Sequence, residues 1–188
     1  SGCYMHDINA TGSVGGDFID LRSGSYPDIE VVNSTFYACA RTFLRTDKSN
    51  PAKVALNKVN VKNCTFNYVV ATNTSSNNQG LLYVGTTTGV QEFNLSNCVL
   101  LNMYNDAEGT DAGKGWVRIA RNSTDSYAPV CSANIYYNLG VDFFTPAAYQ
   151  MGTTTACDEA YCLAEGGMIL TDDPCVNSEA GKLYLTNG

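Results

Sequence analysis

An all-β fold wound as a solenoid is what this sequence predicts, on three observations. Its 188 residues include nineteen Asn, eighteen Thr, seventeen Gly and twelve Tyr, a strand-and-turn composition poor in strong helix formers. A short phrase recurs: Asn33-Ser34-Thr35-Phe36-Tyr37, Asn63-Cys64-Thr65-Phe66-Asn67, Asn97-Cys98-Val99-Leu100-Leu101 and, more loosely, Asn134-Ile135-Tyr136-Tyr137-Asn138, with an Asn-less copy at Gly2-Cys3-Tyr4-Met5-His6. The starts lie 31, 30, 34 and 37 residues apart with no amphipathic helical stretch between them, which excludes helical repeats and leaves a parallel β-helix of about five coils.

The elements follow in order. Alternating apolar residues precede the phrase, as in Ile29-Glu30-Val31-Val32, Val59-Asn60-Val61 and Phe93-Asn94-Leu95, so each phrase ends or continues a strand. A second strand follows each copy: Phe18-Ile19-Asp20-Leu21, Phe43-Leu44-Arg45-Thr46, Leu81-Leu82-Tyr83-Val84, Trp116-Val117-Arg118-Ile119 and Phe143-Phe144-Thr145. In a parallel coil, equivalent residues stack roughly 4.8 Å apart. The spacing therefore predicts one inward column of Cys3, Ser34, Cys64, Cys98 and Ile135 and another of Met5, Phe36, Phe66, Leu100 and Tyr137. Asn33, Asn63, Asn97 and Asn134 would form an asparagine ladder at a turn, where the amide tolerates left-handed geometry. Polar insertions at 73–80 and 106–115 read as loops on one flank.

Residues 1–145 read as the coils and 146–188 as an irregular, Cys-rich C-terminal cap with a last coil, together one domain spanning 1–188. The chain opens inside a coil with no capping segment, so a fragment of a longer protein, with upstream domains as partners, is expected. Eight cysteines lean towards an exported protein. Cys64 and Cys98 sit on a ladder whose side chains point the same way, which favours free buried thiols. Cys131, Cys157, Cys162 and Cys175 are the disulfide candidates, since their spacing lacks the close pairs of structural zinc sites.

The composition excludes several classes. Charged residues make up 15% and hydrophobic ones 44%, which fits neither a coiled coil nor a disordered tail. A net charge of −7 lacks the basic footprint of nucleic-acid binding, and no apolar run approaches the roughly 20 residues of a membrane span. One histidine, His6, leaves no basis for a His-centred triad, and no phosphate-binding glycine loop is present. Asp172-Asp173 beside Pro174 reads as a solvated turn, with calcium the alternative, and no cofactor is expected.

These residues resemble the right-handed parallel β-helix of the pectate-lyase-like superfamily. More narrowly, the chain resembles C-terminal β-helical domains of surface proteins that accompany glycan import in Bacteroidota. The likeness rests on the Asn-Cys-Thr-Phe phrases, the Phe-Leu-Arg strand at 43–45, and Asp172-Asp173-Pro174 with Gly181-Lys182-Leu183-Tyr184-Leu185, which resembles a last coil. The resemblance implies an extracellular or cell-surface protein whose partner is a polysaccharide or oligosaccharide.

Asp20, Arg45, Tyr83 and Arg118 occupy equivalent positions two residues after Phe18, Phe43, Leu81 and Trp116. With Ile19, Leu44, Leu82 and Val117 inward, alternation would place both sets outside. Aromatic rings stack on sugar faces and guanidinium groups pair with carboxylates or sulfates, so Arg45, Tyr83, Trp116, Arg118 and Arg121 are the candidate glycan-binding residues. The competing assignment packs these aromatics beneath the loops. A non-catalytic carbohydrate-binding or scaffold module follows. The alternative is a polysaccharide lyase or glycoside hydrolase acting on an acidic polysaccharide, with Arg45 and Arg118 neutralising a uronate and Tyr83 as base.

Overall fold

A computed structural model of the chain describes residues 1–8, 16–21, 24–39, 42–46, 54–69, 80–84, 92–103, 117–119, 130–139 and 159–186. The first repeat holds β1 (Tyr4–Ile8), β2 (Asp17–Leu21) and β3 (Gly24–Val32). The second holds β4 (Thr35–Cys39), β5 (Thr42–Thr46) and β6 (Val54–Lys62), and the third β7 (Thr65–Val69), β8 (Gly80–Val84) and β9 (Glu92–Ser96). In the fourth are β10 (Val99–Leu101), β11 (Val117–Ile119) and β12 (Val130–Ser132), and β13 (Ile135–Tyr137) opens the fifth. A short helix α1 (Glu159–Ala164), then β14 (Met168–Leu170), β15 (Cys175–Asn177) and β16 (Lys182–Leu185), complete the described chain.

Strands one repeat apart pair in parallel. Sheet A runs β1-β4-β7-β10-β13-β14, sheet B runs β2-β5-β8-β11 and sheet C runs β3-β6-β9-β12, so the chain visits three sheets in fixed rotation. Parallel neighbours need a long connection between them, and here the other two strands of the repeat supply it. One buried cluster draws on all three sheets, including Phe36 and Phe66 from A, Phe43 and Leu81 from B, and Val59, Val61, Phe93 and Leu95 from C. Phe36 stacks on Phe66 with centroids 5.2 Å apart, and Phe43 meets both edge-on at 4.7 and 5.0 Å.

The turn from sheet C to sheet A explains the repeated asparagine. Gly2, Asn33, Asn63, Asn97, Ala133 and Gly166 all have φ between +51° and +80°, the left-handed region that Gly and Asn enter most cheaply. In the first five the backbone N–H donates to a carbonyl one repeat on: Gly2 to Val32 at 3.2 Å, Asn33 to Lys62 at 3.1 Å, Asn63 to Ser96 at 3.1 Å, Asn97 to Ser132 at 3.0 Å and Ala133 to Glu165 at 2.9 Å. The residue after the turn has a shared task. Ser34 Oγ, Cys64 Sγ and Cys98 Sγ each donate to the carbonyl two residues back, at 2.9, 3.2 and 3.3 Å, which is why Ser and Cys interchange there.

The fifth copy corrects the expected register by one residue. Val99 pairs with Ile135 and Leu100 with Tyr136. Ala133, not Asn134, therefore takes the turn, Asn134, not Ile135, follows Cys98 in the inward column, and Tyr136, not Tyr137, follows Leu100. Asn134 is buried because its amide is satisfied there: Oδ1 accepts from Cys98 N–H at 2.9 Å and Nδ2 donates to Leu95 O at 3.0 Å.

The C-terminal part does two separate things. Helix α1 ends in a Schellman motif, with Gly166 left-handed at φ +80°, its N–H donating to Leu163 O at 3.1 Å, and Gly167 N–H donating to Cys162 O at 3.0 Å. Glu165 O accepts from Ala133 as Ser132 O does from Asn97, so α1 stands where the next sheet C strand would fall, and β14 continues sheet A. Beyond it the chain reverses. Residues 181–185, expected as a last coil, instead enter an antiparallel hairpin of β15 and β16. This hairpin lies back along the outer flank of sheet A: Asn67 Nδ2 donates to Ser178 O at 2.7 Å, Asn102 Nδ2 donates to Ser178 Oγ at 2.9 Å, and a Cβ on Gly181 would stand 3.2 Å from the Tyr37 ring. The expected strand at 143–145 and the loop at 106–115 lie outside the described residues, as does the loop at 73–80 except for Gly80.

Candidate functional site

The three sheets offer unequal outer surfaces. On sheet A the outward positions Asn67 and Leu101 are fully buried beside the hairpin. A second left-handed column, Asp7, Ala38, Tyr68, Asn102 and Asn138, borders this flank with φ between +51° and +56°. Its amides form a chain: Asn138 Nδ2 donates to Asn102 Oδ1 at 2.7 Å, and Asn102 Nδ2 donates to Asn67 Oδ1 at 2.9 Å. Asp173 holds the hairpin's turn. Its Oδ1 accepts from Cys175 N–H at 2.9 Å and its Oδ2 from Ser178 N–H at 2.7 Å and Ser178 Oγ at 2.8 Å. Burial pushes the Asp173 carboxyl upward, but these hydrogen bonds together outweigh it and hold the group below the usual carboxylate range.

Sheet B carries the expected column. Asp20 pairs with Arg45, Arg45 with Tyr83, and Tyr83 with Arg118, so the four stand in one line across four strands. The expectation for their neighbours is corrected. Phe43 and Leu81 were expected outside, but both are 0% exposed and belong to the core, with Phe18 packed edge-on against Phe36 at 5.1 Å. Leu44 is also 0% exposed. Because successive strand residues point to opposite faces, β5 is covered on both. Arg45 follows suit: Nη1 lies 3.6 Å from Asp17 Oδ2, with the side chains 11% and 3% exposed. The guanidinium is thus engaged by an internal carboxylate. Tyr83 and Arg118 are placed by their strand positions, while Trp116 and Arg121 lie outside the described residues.

Sheet C holds an open polar surface outside the candidate residues named from the sequence. Its inward residues Val59, Val61, Phe93, Leu95 and Cys131 are buried. The alternate positions align as Asp28, Lys58 and Glu92, as Glu30, Asn60 and Asn94, and as Lys62, Ser96 and Ser132. Asn94 Nδ2 donates to Asn60 Oδ1 at 2.9 Å, and beside them Asn63 Nδ2 donates to Asn33 Oδ1 at 3.2 Å. Asn94 also hydrogen-bonds the Glu92 carboxylate, which ties the ladder to the neighbouring charged row. Lys58 Nζ meets Glu92 Oε2 at 2.8 Å, and that hydrogen bond raises the lysine pKa and lowers that of the glutamate. The signal lies in the strict alternation of Val59-Asn60-Val61-Lys62 and Phe93-Asn94-Leu95-Ser96, which marks a strand and also sets its polar members on one face.

The cysteines separate as well. Cys3, Cys64, Cys98 and Cys175 carry free thiols. Cys131 Sγ and Cys162 Sγ lie 2.9 Å apart, and Cys157 lies outside the described residues. Among the described residues no helix is long and apolar enough to cross a membrane. Compared with protein-family models, curated proteins and solved structures, the chain finds no match.

Proposed function

We propose that the chain is a right-handed parallel β-helix serving as a non-catalytic, carbohydrate-binding or scaffold module of an exported, cell-surface polysaccharide-utilisation protein. The observation that carries this reading is the alignment of polar residues in columns across parallel strands, with the hydrogen-bonded amides of Asn60 and Asn94 in line on sheet C and Arg45, Tyr83 and Arg118 at paired backbone positions on sheet B. Columns of this kind repeat one set of donors at the spacing of successive strands, roughly 4.8 Å, and a polymer with repeating hydroxyl groups engages such an array through many weak contacts at once. The composition supports the exported setting, since eight cysteines in 188 residues are unusual for a reducing compartment.

Within this reading Arg45 is a positioning residue tied to Asp17; Tyr83 and Arg118 stand by alternation on the strand face of the core residues Phe43 and Leu81, and a contact of Arg118 with a uronate or sulfate group at the end of that column is what the variant below tests. Affinity electrophoresis through gels containing neutral or acidic polysaccharides tests it. Retardation by an acidic glycan that is lost in Arg118→Ala assigns binding to sheet B. Retardation by a neutral glycan that is lost in Asn60→Ala or Asn94→Ala assigns it to sheet C. No retardation by any polysaccharide removes the binding function. Growth of ultraviolet absorbance from unsaturated uronides on pectin, alginate or chondroitin would replace the reading with a lyase.

A further inference from the structure

We infer that Cys131 and Cys162 are joined by a disulfide that fastens helix α1 to the end of sheet C when the chain is in an oxidising environment. Cys131 is the inward residue of β12, aligned with Leu95 of β9. Cys162 comes from the helix that takes the place of the next sheet C strand, so its side chain falls on the continuation of the same inward column. Their sulfurs lie 2.9 Å apart and both residues are 1% exposed. Two reduced thiols at that separation are closer than their van der Waals surfaces allow without a strong hydrogen bond, whereas a short movement brings them to the bonded distance of about 2.05 Å.

The surroundings fit a cross-link. Gly167 packs so tightly that a Cβ there would meet Cys162 O at 2.4 Å and the Tyr136 ring at 3.2 Å, which fixes the helix end against β13. Tyr136 is buried beside both cysteines, and burial followed by the Cys162 thiol raises its phenol pKa, so it stays neutral and supplies no competing charge. Among the described side chains of α1, Glu159, Ala160, Leu163 and Ala164 are exposed and Cys162 is buried, so Cys162 anchors this short helix inward. A six-residue helix is too short to persist alone, and a covalent tie removes its freedom to detach.

The chemistry is ordinary thiol–disulfide exchange with a small-molecule disulfide such as oxidised glutathione. As α1 frays, the Cys162 thiolate attacks that disulfide and releases one glutathione thiolate. Docking then brings the Cys131 thiolate onto the Cys162 sulfur of the mixed disulfide, forming the S–S bond and expelling the second. The two thiol protons end on the two departing glutathione molecules, and two electrons pass from the protein to the oxidant.

The test is peptide mapping of the intact chain, equilibrated folded in a glutathione redox buffer, alkylated and cut with an Asp/Glu-specific protease. Asp142, Asp158, Glu159, Glu165 and Asp173 lie between the four C-terminal cysteines, so each falls on its own peptide. The expected product is one linked species joining the Cys131 and Cys162 peptides, lighter by two hydrogens than their sum. Dithiothreitol should then lower the melting temperature by on the order of 10 °C, from the entropy of a closed loop of this length in a chain of this size. That sensitivity should vanish in Cys162→Ser and Cys131→Ser and persist in Cys175→Ser. Recovery of the Cys131 and Cys162 peptides as separate alkylated thiols, or linkage of either to Cys157 or Cys175, would overturn the assignment, and the wild-type map decides even if a variant fails to fold.

Discussion

Replacing Asn102 with alanine, and separately Asn97 with alanine, isolates what the buried amides contribute. Both residues sit at φ +52°, so both substitutions put alanine into the same strained backbone region. That shared strain costs about 1 kcal/mol, and Ala133 already occupies an equivalent turn at φ +51°. The side chains differ. Asn97 is exposed, whereas Asn102 is fully buried, gives hydrogen bonds to Asn67 Oδ1 and Ser178 Oγ and takes one from Asn138 Nδ2. Removing it strands the buried Asn67 oxygen, at about 1–3 kcal/mol, and weakens two further bonds worth about 1 kcal/mol together. The expected totals are about 4 kcal/mol for Asn102→Ala and about 1 kcal/mol for Asn97→Ala. Equilibrium urea denaturation followed by far-ultraviolet circular dichroism reads the difference: with a slope of about 2 kcal/mol per molar, the midpoints should fall by about 2 M and 0.5 M. Equal losses in the two variants would refute the reasoning, since the cost would then lie in the backbone turn and not in the amide chain.

Two further outcomes are expected. Gly167→Ala drives a Cβ to 2.4 Å from the Cys162 carbonyl oxygen, so α1 must lift from β13, costing about 2 kcal/mol or more. Hydrogen exchange of the Ala133 amide, bonded to Glu165 O, should accelerate in step, while unchanged exchange would show that the helix end is not held there. Asp173, with its folded pKa depressed, contributes stability that is present above its unfolded pKa and is lost as pH falls through the folded value. Limited proteolysis within 174–186 should therefore quicken on acidification below the carboxylate range. Asp173→Asn should be cut readily at neutral pH with no such dependence, and persistent acid sensitivity in that variant would assign the effect to another group.

Four repeats were readable from the chain because their turns demand the same thing of the same position: a residue that accepts positive φ, followed by a small donor that reaches the carbonyl two back. The fifth misled because it was aligned by the letter Asn. Asn134 meets the demand of the inward position, through Cys98 N–H and Leu95 O, while Ala133 accepts the turn. Sheet B misled for another reason. Alternation identifies an inward face only when neighbours differ in polarity, and Phe43 beside Leu44 are both apolar and both buried. The hairpin left no signal at all, since its anchor joins Ser178 to Asn67 across 111 residues and no periodic pattern extends over that distance.

The hairpin also bears on where a ligand can act. By lying along sheet A it covers Asn67, whose amide donates to Ser178 O, a position that alternation alone would have left to solvent. With sheet B covered at β5, sheet C keeps the continuous row of polar side chains, from Glu30 through Asn60 to Asn94, in line across three strands. Val130 ends that row on β12 and is exposed. Under the proposed function, a glycan on this face runs across the strands, meets an acid at one end and an apolar side chain at the other, and gains contacts in proportion to the repeats it spans. Oligosaccharides of increasing length should then bind more tightly until they cover those positions and no further, whereas binding at a single pocket would saturate at the shortest chain.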